Sequence, residues 1–289
     1  MIHNPVAGLR HGGRFRSALR ALAAVGCRLD VVATARPGDA EVFGRGAAGY
    51  DVVVAAGGDG TVGEVVNGLM AMAGPVPPLA LLPLGTANVL AHEVGLSLRP
   101  GAVAAAVAGT VAGGRRLAVY PGLINGRYFI MMAGAGFDAQ VVAHVDPLWK
   151  RRAGRLAYLA AIAGQAWRYD FPECHGAVDG RDFAAAWVVV CNGRRYGGPF
   201  VAVPGASLER PALAVCLLRR RGPGSVLGYG AALLTGRLSR LSSVRLEAGR
   251  RIVIDGPAGL AVQADGDSAG ALPVEISASP RAVELLVPP

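Results

Sequence analysis

The sequence holds little cysteine, few aromatic residues, and almost no lysine. Four of its 289 residues are cysteines, namely Cys27, Cys174, Cys191 and Cys216, and no two form a CxxC pair. That scatter excludes a disulfide scaffold and, with no basic-then-apolar leader at the start, leads us to expect a reducing, cytoplasmic setting. Aromatics make up 6% of the chain and charged residues 17%, while 42 glycines and a 52% hydrophobic content indicate a folded protein whose core is built from small side chains. Lys150 is the only lysine, so arginine carries the net charge of +9. A surface of that sign favours anionic partners: nucleic acid, acidic headgroups or phosphorylated metabolites. No recognition-helix pattern or aromatic and basic RNA-binding motif accompanies the arginines, and nucleic acid is therefore not an expected partner. His3, His11, His92, His144 and His175 show no metal-ligand spacing. The longest uncharged stretch, residues 65–91, contains Pro75, Pro77, Pro78 and Pro83, which would break a membrane-spanning helix repeatedly.

A length of 289 residues accommodates two domains, and the pattern of the chain changes near residue 115. Before that point, short apolar runs at 29–33, 51–56 and 79–82 alternate with helical stretches. Phe15, Ala18, Leu19 and Leu22 recur at helical spacing, and Gly26 stands where a helix would end. That rhythm predicts a Rossmann-like α/β domain over 1–115, with a parallel sheet and any ligand at the C-terminal ends of its strands. Only Met1, Ile2 and His3 precede the first loop, so the natural start is expected a few residues upstream. After residue 115, Asn-Gly at 125–126 and Asp-Gly at 179–180 separate apolar runs and predict antiparallel hairpins. With further strand candidates at 213–218, 244–246, 251–254 and 261–264, residues 116–289 read as a mostly antiparallel β domain. Two helical stretches interrupt it, at 138–169 with a break near Pro147 and at 225–238.

Three loops draw attention in the first domain: "NPVAG" at 4–8, "GGDGTVGE" at 57–64 and "PLGTAN" at 83–88. Each follows a strand candidate, so a parallel sheet would gather them at one edge. Thr61 and Glu64 have the spacing of a capping box, which predicts a helix from Val62 whose amides and positive dipole end face the same crevice as Gly57, Gly58 and Gly60. Phosphate fits there without a lysine, and the absence of G-x-x-x-x-G-K-[ST] excludes a P-loop enzyme. Asp59 puts a carboxylate inside this anion-binding loop. Either Mg²⁺ or an ordered water stands between it and the phosphates, or it handles the proton of a reacting hydroxyl, or it only stabilises the turn.

The ordered set "NPVAG", "VVAAGGDGTVGEVVNGL", "LLPLGTANVLAHEVGL", "GAGFDAQVV", "YGGPFVAVPGASL" and "QADGD" resembles the diacylglycerol kinase catalytic family over nearly the whole chain. The bacterial soluble lipid kinases are the nearest relatives, and the sphingosine and ceramide kinases are more distant. The resemblance implies a nucleotide-binding α/β domain followed by a β-sandwich domain, with the active site in the interdomain cleft. It implies that Asn4, Pro5, Gly8, Thr34, Gly57, Gly58, Asp59, Gly60, Thr61, Glu64, Gly85 and Thr86 surround ATP, with Asp59 organising water and Mg²⁺. Thr34 reads equally as an ordinary hydroxyl at a strand end. The family's D-G-E sequence is matched by Asp265, Gly266 and Asp267, which makes Asp265 the expected general base and Asp267 the next candidate. Asp-Gly is also a hairpin turn, and the turn reading stands beside the catalytic one.

One departure concerns a structural Mg²⁺. The family usually carries Asp where this chain has Arg210, and a guanidinium has no lone pair for a cation. Glu209 substitutes, or the site is empty, or the guanidinium replaces the ion's charge; no metal ligands are assigned. Lys150, Arg151, Arg152 and Arg155 precede one apolar helical stretch and Arg219, Arg220 and Arg221 another, so peripheral contact with an anionic membrane, with Trp149 or Trp167 in the interface, is weighed against an ordinary solvated charge cluster. The expected function is ATP- and Mg²⁺-dependent phosphorylation of a hydroxyl on a diacylglycerol-like lipid by a cytoplasmic enzyme, with oligomerisation left open. The competing readings are an NAD kinase-like enzyme, which shares GGDGT, and a regulator of the same fold that binds nucleotide or lipid without catalysis.

Overall fold

The computed structural model of the chain describes residues 1–7, 12–99, 102–144 and 155–288. The chain divides into two units, Met1–Tyr120 with Arg281–Pro289, and Pro121–Pro280.

The first unit is built on strands β1 (Ile2–His3), β2 (Val32–Ala33), β3 (Val53–Gly57), β4 (Leu79–Pro83) and β5 (Arg115–Val119), joined by a last strand, β20 (Val283–Val287). The sheet order is β2-β1-β3-β4-β20-β5, parallel from β2 through β20 and antiparallel only between β20 and β5. β3 and β4 are buried along their whole length, which is why VVAAG and LALLP read as unbroken apolar runs. Helices α1 (Gly12–Ala24), α2 (Asp39–Arg45), α3 (Asp59–Met70), α4 (Val89–Glu93) and α5 (Val103–Gly113) accompany these strands. Gly26 ends α1 as expected, at φ 87°, with the Cys27 N–H reaching back to the Leu22 carbonyl.

Two sequence expectations change here. The strand foreseen at 29–33 shrinks to Val32–Ala33, because its one partner, β1, offers only two pairing residues. The C-terminal segment, foreseen in the second domain, supplies β20 between β4 and β5 of the first sheet.

The second unit holds two antiparallel six-stranded sheets. The first contains β6 (Gly122–Ile124), β7 (Arg127–Phe129), β9 (Cys174–Val178), β10 (Arg181–Ala185), β16 (Arg251–Asp255) and β19 (Val274–Ala278), in the order β10-β9-β16-β19-β6-β7. The second contains β8 (Met132–Ala135), β11 (Trp187–Cys191), β14 (Leu213–Leu218), β15 (Val244–Gly249), β17 (Ala261–Ala264) and β18 (Asp267–Ala271), in the order β15-β14-β11-β8-β17-β18. A short pair, β12 (Arg195–Tyr196) and β13 (Phe200–Val201), stands apart. Phe129, Val188, Val190, Val215, Ile252 and Ile254 belong to one apolar core, and each such side chain contributes roughly 1.5–3 kcal/mol by leaving water.

The residues that alternate with this core on β11 and β17 include Trp187 and Gln263, which meet helix α6 (Phe137–His144) on the sheet's other face. Together with α7 (Arg155–Ala166) and α8 (Pro223–Leu234), α6 forms a second apolar cluster of Phe137, Val141, Ala166, Phe171 and Val226, against which Trp187 packs. The stretch foreseen as helix over 138–169 is thus α6 and α7, and its break at Pro147 lies outside the described residues. The stretch foreseen over 225–238 is α8, which opens on Pro223 and ends before a 3₁₀ turn at Leu238–Arg240. Asn125-Gly126 and Asp179-Gly180 make the expected hairpin turns, with both residues of each pair at positive φ.

Candidate functional site

In the first unit, the loops after β1, β3 and β4 come together through named contacts. Asn4 turns the first loop on itself, its Oδ1 accepting from the N–H groups of Val6 (3.0 Å) and Ala7 (3.3 Å). Its Nδ2 donates to Thr61 Oγ1 at 3.1 Å, which ties that loop to α3. Pro5 is exposed beside it, and Gly8 lies outside the described residues.

The second and third loops touch backbone to backbone. A Cβ on Gly85 would stand 2.5 Å from the Gly58 Cα, and one on Gly57 would stand 2.5 Å from the Thr61 Cβ. Glycine is required at both positions by space. The Leu84 N–H donates to the Gly57 carbonyl at 2.9 Å, and the Asn88 side chain exchanges two hydrogen bonds with the backbone of Gly85. Thr86 is exposed on this loop; Thr34 is half-buried at the end of β2, its N–H bonded to the His3 carbonyl.

Helix α3 starts earlier than its capping box predicts. Gly58 is the N-cap, Asp59 is the first helical residue, and the first intrahelical bond runs from the Val62 N–H to the Gly58 carbonyl. Thr61 and Glu64 therefore lie within the helix, and neither caps it. Tertiary partners have taken both side chains: Thr61 holds Asn4, and Glu64 Oε2 accepts from the Ala40 N–H of α2 at 3.2 Å. The amides of Gly60 and Thr61 precede the helical ladder, next to three positions without side-chain bulk. A phosphate chain fits such a surface through amide donors and the helix dipole.

The Asp59 carboxylate points to a different helix. Its Oδ1 accepts from the Val89 N–H at 2.7 Å, and the amides of Leu90 and Asn88 also bond it, so it caps the start of α4. Burial raises the affinity of this carboxyl for a proton above the usual carboxylate range, against the opposing pull of those amides. A cavity of about 10 Å³, room for roughly one water, is lined by Gly57, Gly58, Asp59, Val62, Asn88 and Leu90.

In the second unit, Asp265 and Gly266 form the turn between β17 and β18, at φ 49° and 82°. The turn reading is correct as conformation, but the side chain does more than make a turn. The Asp265 carboxylate accepts three consecutive backbone N–H groups, from Ile130 (2.6 Å), Met131 (2.9 Å) and Met132 (3.0 Å). Asn192, fully buried, braces the same segment by donating to the carbonyls of Ile130 and Met131. Asp267 is exposed at the first position of β18.

Sequence reasoning missed a deeply buried carboxyl of this unit. Asp138, on α6, accepts from Trp187 Nε1 (2.7 Å), Gln263 Nε2 (3.0 Å) and Tyr196 Oη (3.3 Å). Burial pushes its proton affinity up, against those donors. The available signal was an acid inside an otherwise apolar GAGFDAQVV, with no cation near it in sequence. The glycines of that segment do not open a βαβ unit, since β8 pairs antiparallel with β11 and β17. Gly136 sits at φ 116° with its Cα face against Trp187, so its role is close packing.

Among the described residues, no group of three or more His, Cys, Asp or Glu side chains is arranged to hold a metal ion. Glu209 and Arg210 are both exposed, in a loop held by bonds to Ser207. Of the basic clusters, Arg221 pairs with Glu173, whereas Lys150, Arg151, Arg152 and Trp149 lie outside the described residues, as does the Arg155 side chain. No helix among the described residues is long and apolar enough to cross a membrane.

Comparison with known proteins covers both units. The family model "Diacylglycerol kinase catalytic domain" matches residues 1–116, and "YegS C-terminal NAD kinase beta sandwich-like domain" matches residues 131–287. A Pseudomonas aeruginosa protein named "Probable lipid kinase YegS-like" is 31% identical over 296 residues, covering 100% of this chain and 93% of its own. A Mycobacterium tuberculosis protein named "Diacylglycerol kinase" is 31% identical over 300 residues, covering 99% and 93%. A crystal structure of a diacylglycerol kinase from Bacillus anthracis superposes with a TM-score of 0.76 at 21% identity, over 100% of this chain and 96% of that one. A second crystal structure from that organism reaches 0.84 at 23% identity, over 100% and 94%.

Proposed function

The chain belongs to the diacylglycerol kinase catalytic family of lipid kinases, and we propose that it transfers the γ-phosphate of ATP, with Mg²⁺, to a hydroxyl of diacylglycerol or a related lipid. The observation that carries this reading is the meeting of three strand-end loops on Cβ-free backbone, with the Gly60 and Thr61 amides ahead of the helical ladder. In this reading Asn4, Pro5, Gly57, Gly58, Gly60, Thr61, Gly85 and Thr86 border the nucleotide, with Thr34 at its margin. Asp59 and Glu64 act as braces, holding α4 and α2 against the loop. No cluster of acidic side chains among the described residues would ligate Mg²⁺, so the nucleotide itself would have to bring it, and it would supply charge neutralisation when bound.

The acceptor half of the chemistry falls to Asp265. The lipid hydroxyl oxygen forms a bond to the γ-phosphorus as the bond to the β–γ bridging oxygen breaks. The electron pair leaves with ADP, and the hydroxyl proton passes to the Asp265 carboxylate. Three amides fix that carboxylate, so little side-chain freedom is lost when it engages the hydroxyl. Asp267, two residues on, adds negative charge near the acceptor. Exposed Trp167 (81%), Leu227 (74%) and Leu234 (65%) support contact of the second unit with a bilayer surface, where a lipid substrate resides.

The test is transfer of labelled phosphate from ATP across a panel of diacylglycerols, monoacylglycerols, ceramide and sphingosine, with NAD as a control acceptor, with and without Mg²⁺. We expect a labelled lipid with Mg²⁺ only, and a loss of about 100-fold or more in kcat for Asp265→Asn. Labelled NAD would place the protein with NAD kinases. Nucleotide binding without any labelled acceptor would identify a binding regulator.

A further inference from the structure

Gln263 and Asp138 have no part in the chemistry above, yet both are almost wholly buried, at 2% and 6% exposure. Gln263 Oε1 accepts the Gly266 N–H at 3.0 Å, and its Nε2 donates to Asp138 Oδ2, also at 3.0 Å. Turning the amide over would set N–H against N–H at Gly266 and oxygen against oxygen at Asp138, so the acceptor at Asp138 holds Gln263 in the one orientation that serves the turn. Asp138 is itself held by Trp187 on its other oxygen and by Tyr196. The β17–β18 ladder slips by one residue between Val262 and Gln263, a bulge of the kind that re-aims a side chain.

The Asp265–Gly266 turn is thus clamped from two sides. Asp265 hangs on the amides of Ile130, Met131 and Met132, while Gly266 hangs on Gln263. Burying the Asp138 carboxyl is costly, because none of its three side-chain partners is a cation, and an apolar residue would fill the same space more cheaply. What an apolar residue lacks is an acceptor to orient Gln263.

We infer that Gln263, oriented by the buried Asp138 carboxyl, is the positioning residue that fixes the Asp265–Gly266 turn for proton acceptance. This rests on the assignment of Asp265 as the base. The network has a directionality that can be exchanged. In the double variant Asp138→Asn/Gln263→Glu, the introduced amide donates toward position 263 and keeps an oxygen for Trp187. The introduced carboxylate accepts both from that amide and from Gly266. Either substitution alone leaves donor facing donor, or carboxylate facing carboxyl.

The experiment measures lipid phosphorylation and backbone amide exchange in the wild type, both single variants and the double variant. Each single variant is expected to lose roughly 10- to 100-fold in kcat, with the KM for ATP within about twofold. The double variant is expected to recover to within about threefold of the wild type, the mark of coupled rather than additive sites. The Gly266 amide should exchange at least about tenfold faster in Gln263→Leu, which also stands in if Gln263→Glu does not fold. A double variant no better than the weaker single variant, or an unchanged Gly266 amide, overturns the inference. So does a deprotected Gly266 with transfer at the wild-type rate. The exchange readout needs neither lipid nor nucleotide, so failure of the network is distinguishable from failure of the kinase assignment.

Discussion

Asp59 and Asp265 both follow a strand and precede a glycine, and in sequence GGDG and QADG look alike. Asp59 becomes the first residue of a helix, and its carboxylate reaches the amides that open α4. Asp265 takes a left-handed conformation, and its carboxylate reaches the segment that leads into β8. The glycines divide accordingly: Gly60 continues a helix, while Gly266 at φ 82° completes a turn. The burial pattern that follows makes the choice: after Asp59, Val62, Val65, Val66 and Leu69 are buried at helical spacing despite the poor helix propensity of valine and glycine, whereas strands stand on both sides of Asp265. An acid in a glycine-rich turn therefore has no fixed role, and what it bonds decides what it does.

The comparison is broken most severely by crowding the first loop. Gly85→Ala places a methyl 2.5 Å from the Gly58 Cα and 2.8 Å from Asn88 Oδ1. We expect a loss of about 1–3 kcal/mol in stability, seen in denaturant unfolding, and nucleotide binding too weak to measure by calorimetry. Amide exchange around Asp265 should be untouched. Binding within a factor of two of the wild type would mean that the two loops do not need each other. A smaller effect is expected of Asn4→Ala, which removes the Thr61 bond and the turn of its own loop at about 1 kcal/mol. Nucleotide affinity should fall several-fold with kcat nearly constant, whereas Asp265→Asn acts on kcat.

The gentlest test is a slope. Burial raises the Asp59 pKa above the usual carboxylate range, so the native state holds this proton more tightly than the unfolded chain. Its contribution to stability is therefore best below the unfolded value, declines as the pH rises toward the folded one, and is constant beyond. Asp59→Asn lacks that titration. The stability of this variant relative to the wild type should improve as the pH is raised from about 4, read from unfolding curves at several pH values. A variant that instead loses stability relative to the wild type as the pH rises would show that the amides of α4 outweigh burial.

Much of the fold was legible because local chemistry and tertiary structure agree. Asn125-Gly126 and Asp179-Gly180 fit turns that demand positive φ, and the continuous apolar runs of β3 and β4 fit strands covered on both faces. Where distant partners decide, the sequence misleads. Thr61 and Glu64 carry the spacing of a cap, but Asn4 of the first loop and Ala40 of α2 recruit them, and the helix begins two residues before Thr61. The candidate loops were readable as glycine at strand ends, but not that Gly58 and Gly85 lie against each other. Asp138 and Gln263 stood inside recognised motifs without drawing notice, since their meaning lies in a contact 125 residues apart.

The strand Val283–Val287 lies between β4 and β5, beside strands that were synthesised first. During translation the nascent sheet must wait, its edge at Leu79–Pro83 uncovered, until residues 283–287 have left the ribosome. A chain truncated before residue 283 would therefore leave that edge unpaired, a hydrophobic template for aggregation, so the first unit is completed only by a strand made long after its neighbours.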